Sequence, residues 1–162
     1  VPSLKKLNLK HRDYASKTIQ QLFKDDIKSS QQKQVNYTKS CIAVNDGMGN
    51  FTVKELPLPV QLSSVNALKV MDVNNDGYMD IIAAGNFFDL LPQFCRLDAS
   101  YGHVLINDSK GGFSVMPSAQ TGLFLNGQIR DIVSFDYHRN NHLLFLQNND
   151  VPVMYSTKQK QK

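Results

Sequence analysis

Two stretches of the chain repeat one pattern. CIAVNDGMGNFTVKELP starts at Cys41 and HVLINDSKGGFSVMP starts at His103, and the two align without gaps so that Asn45 matches Asn107. Each reads as a strand, an Asn-Asp turn and a second strand that opens with Phe, which is a β-hairpin pattern. Repeats of this size made of short strands indicate sheets arranged around an axis rather than a closed sandwich.

We therefore expect a mostly β fold, with about two to three four-stranded β-propeller-type blades and one N-terminal helix. The alignment that matches the two hairpins also matches the apolar run 81–84 with residues 143–146. Residues 11–28 predict the helix, because their apolar side chains recur near one face. These are Tyr14, Ile19, Leu22, Phe23 and Ile27.

The expected organisation has four parts. Residues 1–40 form a helical insert, or the end of a preceding blade, with a polar linker. Residues 41–100 form a first blade with an oxygen-rich loop and an aromatic insert, 101–157 a second, degenerate blade, and 158–162 a basic tail. The chain begins at Val1 without a signal sequence, so we expect a mature form or a piece of a longer protein.

The stretch DVNNDGYMD, residues 72–80, predicts a calcium site. Its oxygen-bearing side chains alternate around Gly77, which permits a tight turn. Calcium takes about six to eight oxygen ligands, so a backbone carbonyl and water would complete the shell. The alternative is a solvated turn without metal, since Asn, Asp and Gly favour turns. The expected ligands are Asp72, Asn74, Asp76, the carbonyl of Tyr78, and Asp80.

The flanking sequence argues against an EF-hand. The position of the bidentate Glu holds Ala83, and β-compatible runs lie on both sides of the loop. In the second unit only Asp136 keeps a comparable oxygen, so we expect a single calcium ion. His138 and His142 lie in the corresponding strand-to-strand turn, where zinc would lack further ligands.

The segment FFDLLPQFCRLDASYG, residues 87–102, is an aromatic insert between the two units. Aromatic residues of this kind often form local core, but a long loop on a propeller can contact a partner. We expect the contact residues to be Phe87, Phe88, Phe94 and Tyr101.

Charge and composition narrow the classes of function. The net charge is +4, but residues 41–157 hold six basic and eleven acidic residues, so the basic excess lies at the two ends. Basic residues interleaved with stacking aromatics are absent, which argues against nucleic acid. No apolar run has the roughly 18 residues of a membrane span. Cys41 and Cys95 could pair or stay free.

The motifs resemble the VCBS/FG-GAP repeat family, whose blades look like those of the integrin α-chain β-propeller. The calcium pattern matches at residues 72–80, and the Asn-Asp-Gly-x-Gly-x-Phe pattern at 45–51. The continuation RLDASYGHVLINDSKGGF is similar to the C-terminal part of large ASPIC/UnbV-associated surface proteins of Bacteroidetes. The resemblance implies an extracellular or outer-membrane location in a bacterium.

These observations predict a non-catalytic, calcium-stabilised segment that binds protein or glycan at the cell surface. Alternatives are an accessory domain of a secreted enzyme whose catalytic part lies outside this chain, or a self-contained calcium-dependent carbohydrate-binding module. The sequence carries none of the common hydrolase, metalloprotease or phosphate-loop motifs. Because two units leave sheet edges open, we also expect possible self-association through those edges.

Overall fold

The computed structural model describes residues 4, 6, 8–138 and 140–157. The chain divides into two compact units, Val1–Thr38 and Lys39–Lys162. The predicted basic tail at 158–162 lies outside the described residues. No helix of the described part is long and apolar enough to cross a membrane.

Between residues 8 and 38, the structure describes three short helices where the sequence predicted one over 11–28, so that prediction was wrong. They are α1 (His11–Ala15), α2 (Ile19–Phe23) and α3 (Asp25–Ser29). Thr18 starts a new helix through a capping box with Gln21, and Lys24 separates α2 from α3 with a φ of 41°. None of the three helices buries a residue, so no packed face holds the segment in one helix.

The second unit is mostly β, as predicted. Its strands are β1 (Cys41–Asn45), β2 (Phe51–Glu55), β3 (Val65–Met71), β4 (Asp80–Gly85), β5 (His103–Asn107), β6 (Phe113–Val115), β7 (Ile129–Tyr137), β8 (Asn140–Gln147) and β9 (Val153–Ser156). Two short helices, α4 (Leu58–Gln61) and α5 (Ser118–Thr121), and a 3₁₀ turn (Pro92–Phe94) lie between them.

The strands form three antiparallel sheets of two, four and three strands. The first sheet is β1-β2, the second is β3-β4-β5-β6, and the third is β7-β8-β9. Among the sheets of the described residues, only the second has the four strands that we expected of each blade. It combines β3 and β4 with the hairpin of the second sequence repeat, so the sheets do not coincide with the repeat units.

The inner strands of the second sheet, β4 and β5, are buried on both faces, whereas Leu68 and Val70 of the edge strand β3 are exposed. Along β5, Val104 belongs to the core shared with the third sheet, and Leu105 on the other face is fully buried. Lys54 Nζ of β2 donates to the carbonyl of Gly111 at 3.0 Å, which ties the first sheet to the β5–β6 turn. The second sheet therefore contacts the third sheet through the apolar core and the first sheet through this hydrogen bond.

The main core lies between the second and third sheets. Side chains of this kind each contribute about 1.5–3 kcal/mol when fully buried. The core residues are Ala67, Ile82, Ala84, Val104, Leu123, Leu125, Ile129, Ile132, Leu143 and Phe145. Cys41 and Cys95 are exposed and free, which resolves the alternative that the sequence left open.

Candidate functional site

The predicted calcium loop and the predicted contact insert lie at opposite ends of β4. Asp80 opens this strand, and Gly85 ends it just before the insert. Five residue steps along a strand span roughly 17 Å. The structure therefore does not bring the two sets of residues together, and they form separate candidate sites.

Side-chain oxygens organise the loop between β3 and β4. Asp72 accepts hydrogen bonds from the backbone N–H groups of Asp76 and Gly77, at 3.2 and 2.9 Å. Asp76 accepts from Tyr78 N at 2.8 Å and from Asn74 Nδ2 at 2.7 Å. Gly77 has a φ of 92°, a conformation that glycine adopts without strain. The alternating residues thus fold back towards the loop backbone.

Asp80 connects this loop to the neighbouring hairpin. Its side chain is fully buried, and its two oxygens accept from Val73 N and Asn107 N, both at 2.9 Å. Asn107 Nδ2 also donates to the Met79 carbonyl at 3.1 Å. Asp80 therefore anchors both the loop and the end of β5, a role that the sequence did not reveal.

The donor chemistry of the loop suits a hard cation. All the predicted side-chain ligands are carboxylates or an amide, and calcium prefers such oxygens. An ionised carboxylate has about four lone-pair sites, so one N–H bond to an oxygen leaves room for a cation. Among the described residues, no group of three or more His, Cys, Asp or Glu stands ready to hold a metal ion. The fit of calcium thus rests on donor type and spacing.

The two repeated hairpin turns share one hydrogen-bond pattern. Asp46 Oδ1 accepts from Met48 N and Asn50 N, and Asp108 Oδ1 accepts from Lys110 N and Gly112 N. The Asn50 side-chain bond holds the pKa of Asp46 below its ordinary value, and the Gly112 backbone bond does the same for the pKa of Asp108. Both carboxylates thus stabilise turns.

Asn86 anchors the start of the aromatic insert. It is fully buried, its φ is 84°, and its Oδ1 accepts from Ser63 Oγ at 2.7 Å and Ser100 N at 3.0 Å. Its Nδ2 donates to the carbonyls of Ser100 and Gly127 at 2.8 and 3.1 Å. All hydrogen-bonding groups of this side chain are satisfied, and both ends of the insert are fixed at one point.

Further contacts hold the insert. Phe87 and Leu97 exchange two backbone hydrogen bonds, at 2.8 and 2.9 Å. Asp89 accepts from Gln128 Nε2 at 3.2 Å and pairs with Arg130 at 3.7 Å, so the insert is bound to the start of the third sheet. The insert is therefore a structured loop.

The four predicted contact rings differ in exposure. Phe94 is 66% exposed and Tyr101 is 45% exposed, whereas Phe87 and Phe88 are half-buried. Arg96 lies over the Phe88 ring, 4.4 Å from its centre. The structure adds a ring that the sequence did not indicate, because Phe124 stacks on Tyr101 with ring centres 5.0 Å apart.

Asn86 and Phe124 were both missed at the sequence level. The Gly-Asn pair that ends the apolar strand was a usable signal for Asn86, because Asn tolerates positive φ better than most residues. Phe124 carried no such signal, since it lies 23 positions after Tyr101 and meets it only in the folded unit.

A groove of about 580 Å³ lies between the second and third sheets, next to the oxygen-rich loop. Its walls include Met71, Met116 and Tyr155, and no charged side chain lines it. The Tyr155 hydroxyl accepts from Phe124 N at 3.0 Å.

Ser100 Oγ and His103 Nε2 lie 3.4 Å apart, which is longer than the roughly 2.6–3.2 Å typical of nucleophile–base pairs. Ser100 is only 3% exposed. Burial lowers the pKa of His103.

No protein-family model matches the chain, and the curated proteins and solved structures contain no significant match.

Proposed function

We propose that the chain is a non-catalytic, calcium-stabilised β-propeller repeat segment of a secreted or cell-surface bacterial protein, and that it binds protein or glycan through the aromatic insert. One observation carries the proposal. Phe94 and Tyr101 stand in solvent on an insert that Asn86, Asp89 and the Phe87–Leu97 bridge hold in place.

This arrangement favours binding because of its energetics. Exposure of large apolar rings to water is unfavourable in free energy. Exposed apolar groups on structured loops commonly mark interaction sites. A loop that is already ordered loses less conformational entropy when it binds. The stacked Tyr101–Phe124 pair presents a broad, pre-arranged apolar surface to a ligand.

The stacking of sheets supports the propeller part of the proposal. Antiparallel sheets of up to four strands follow one another along the chain, and the inner strands of the second sheet are buried on both faces. Propellers contain about four to eight such sheets around an axis, so further sheets would complete the ring.

A binding experiment tests the ligand part. The probe is a panel of immobilised neutral and acidic glycans, applied to the wild-type chain and to Phe94→Ser and Tyr101→Ser. Tyr14→Ser is a matched control, because Tyr14 is 43% exposed and lies in the other unit. We expect about a tenfold loss of affinity in each insert variant and none in the control, with unchanged melting temperatures.

Equal binding by all variants would contradict the role of the insert. A wild-type chain that binds no glycan in the panel would remove glycans from the proposal and leave protein as the partner class.

Calcium at Asp72, Asn74, Asp76, Asp80 and the Tyr78 carbonyl would stabilise the β3–β4 connection. At a hundredfold excess over its dissociation constant, calcium should add about 2.7 kcal/mol to the free energy of unfolding. Titration calorimetry should show binding in the wild type and weaker binding in Asp76→Ala. Asp46→Ala is the control, because Asp46 makes the same type of turn bond outside the loop. Equal heats in Asp76→Ala and the wild type would contradict the site.

A further inference from the structure

The segment between α5 and β7 carries the one Asn-Gly pair of the sequence, Asn126-Gly127. Asn126 is exposed, Gly127 is half-buried, and both lie outside the helices and strands. Among the described residues, neither the Asn126 side-chain amide nor the Gly127 N–H has a hydrogen-bond partner. No hydrogen bond within the described part of the chain therefore has to break before these two groups meet.

The same segment supports the aromatic insert. Leu125 N donates to the carbonyl of Tyr101, which lies in the insert, at 3.0 Å. The Gly127 carbonyl accepts from Asn86 Nδ2 at 3.1 Å, and Asn86 fixes both ends of the insert. A change in the main chain between Asn126 and Gly127 therefore acts directly on the anchor of the insert.

An asparagine side chain can react with the main-chain nitrogen of the next residue, which is one reason why asparagine is a thermolabile residue. Glycine has no side chain to block this approach. The Gly127 nitrogen attacks Asn126 Cγ, the bond from Cγ to Nδ2 breaks, and ammonia leaves with the proton of the Gly127 N–H. The product is a cyclic imide that contains both residues.

Water then opens the ring of this imide by adding to one of its two carbonyl carbons. Aspartate forms when the bond from the nitrogen to Cγ breaks, and isoaspartate forms when the bond from the nitrogen to the main-chain carbonyl carbon breaks. No atom is oxidised or reduced, and the only other reactant is water.

Asn66 is the matched comparison, because Ala67 has the next smallest side chain after glycine. Asn66 Nδ2 donates to the Asn86 carbonyl at 2.8 Å, and Ala67 lies within β3, paired with Ala84. The amide of Asn66 and the backbone that follows it are therefore held in place, unlike those groups at Asn126.

We propose that Asn126 is a self-modification site, at which the Gly127 nitrogen converts asparagine to isoaspartate and thereby loosens the aromatic insert. In isoaspartate the main chain runs through Cβ and Cγ of residue 126, so the path to Gly127 becomes longer. The Gly127 carbonyl then moves away from Asn86 Nδ2. Because a buried donor without a partner is unfavourable, Asn86 holds the insert less firmly. This inference does not depend on calcium or on a ligand of the insert.

Mass spectrometry of peptides from the whole chain, incubated in mildly alkaline buffer, tests the site. Fragmentation that separates aspartate from isoaspartate identifies the products. We expect Asn126 to convert about tenfold or more faster than Asn66, with isoaspartate among the products. Asn126→Gln should block the conversion, because glutamine has to form a larger ring. Asn66→Gln is the control and should leave conversion at Asn126 unchanged.

Hydrogen exchange of residues 87–102 tests the effect on the insert. Exchange in the wild type should rise by about fivefold or more after conversion, as for the loss of one hydrogen bond. It should not rise in Asn126→Gln after the same incubation. Fresh Asn126→Asp should also show no rise, because this variant has the added charge without the longer main chain.

Three results would overturn the proposal. An Asn126 that stays intact, whether or not other asparagines convert, removes the site. An insert whose hydrogen exchange is the same before and after conversion removes the link to Asn86. An equal rise in fresh Asn126→Asp shows that the charge, and not the longer main chain, loosens the insert.

Discussion

β4 and β8 are the second strands of their sheets. In the alignment of the sequence repeat, Asp80 corresponds to His142 and Asn86 corresponds to Asn148. Asp80 in β4 and Asn86 directly after it are fully buried and bonded to other segments. His142 in β8 is half-buried and its Nδ1 has no hydrogen-bond partner among the described residues. Asn148, directly after β8, is exposed and makes one side-chain bond, from its Nδ2 to Gln128 Oε1 at 3.3 Å.

The connections explain the difference. Eight residues join β3 to β4 and the long insert joins β4 to β5, whereas two residues join β7 to β8 and a short turn joins β8 to β9. A long connection needs anchors, because its backbone groups must find partners when they pack against the sheet. Asp80 and Asn86 supply those anchors, and the tight turns at the ends of β8 do not need them.

The largest effect should come from Asp80. We expect Asp80→Ala to lower the free energy of unfolding by about 3–5 kcal/mol, because it removes two charge-assisted bonds and leaves two N–H groups unpaired. His142→Ala should cost only about 1 kcal/mol, mainly the stacking on Phe135. Urea unfolding of both variants measures the contrast. Similar losses would mean that the two positions are equivalent after all.

Asn86 should give the next largest effect. Asn86→Ala leaves several backbone and hydroxyl groups without partners and places alanine at positive φ, so we expect a loss of about 2–4 kcal/mol. Asn148→Ala should change stability by less than about 1 kcal/mol. Hydrogen exchange of residues 87–102 should rise in Asn86→Ala well before global unfolding. If the insert stays protected from hydrogen exchange in that variant, then Asp89 and the Phe87–Leu97 bridge are sufficient to hold it in place.

A smaller effect should follow from His103, at the end of the insert. Because burial lowers its pKa in the folded state, the unfolded chain binds more protons as the pH falls below about 6.5. Stability should therefore be highest above that pH and decrease as the pH falls towards the folded-state pKa. In His103→Gln this part of the pH dependence should disappear. A wild-type unfolding free energy that does not change between pH 7 and 5 would contradict the prediction.

The smallest effect on stability should come from Asp46 and Asp108, in the two hairpin turns that share one hydrogen-bond pattern. Lowered folded-state pKa values mean that each carboxylate stabilises the fold above its unfolded-state pKa, and that this stabilisation is lost as the pH falls through the folded-state pKa. Both side chains are in solvent, so the effect is screened and small. NMR titration should give lowered pKa values for both residues. A normal value for either residue would contradict the prediction that the two turns have the same hydrogen bonds.

Much of the local structure was accessible from the sequence. The alternation of apolar residues and the Asn-Asp turns predicted the hairpins, because these signals act over a few residues. The break of the first-unit helix at Lys24 was not predicted, because apolar spacing says nothing about whether the apolar face finds a surface to pack on. The separate positions of the predicted calcium loop and the insert were also not predicted, because they depend on β4, which runs between them.

The sequence by itself determined the mostly β character of residues 41–157, the repeated hairpin turns and the concentration of oxygen donors at 72–80. Only the tertiary structure decided that β5 and β6 complete the sheet of β3 and β4, and that Asp80 and Asn86 are buried anchors. It also placed Phe124 against Tyr101. The physical reason is that turn preferences act between neighbours in the chain, whereas burial and sheet membership depend on contacts between residues far apart in sequence.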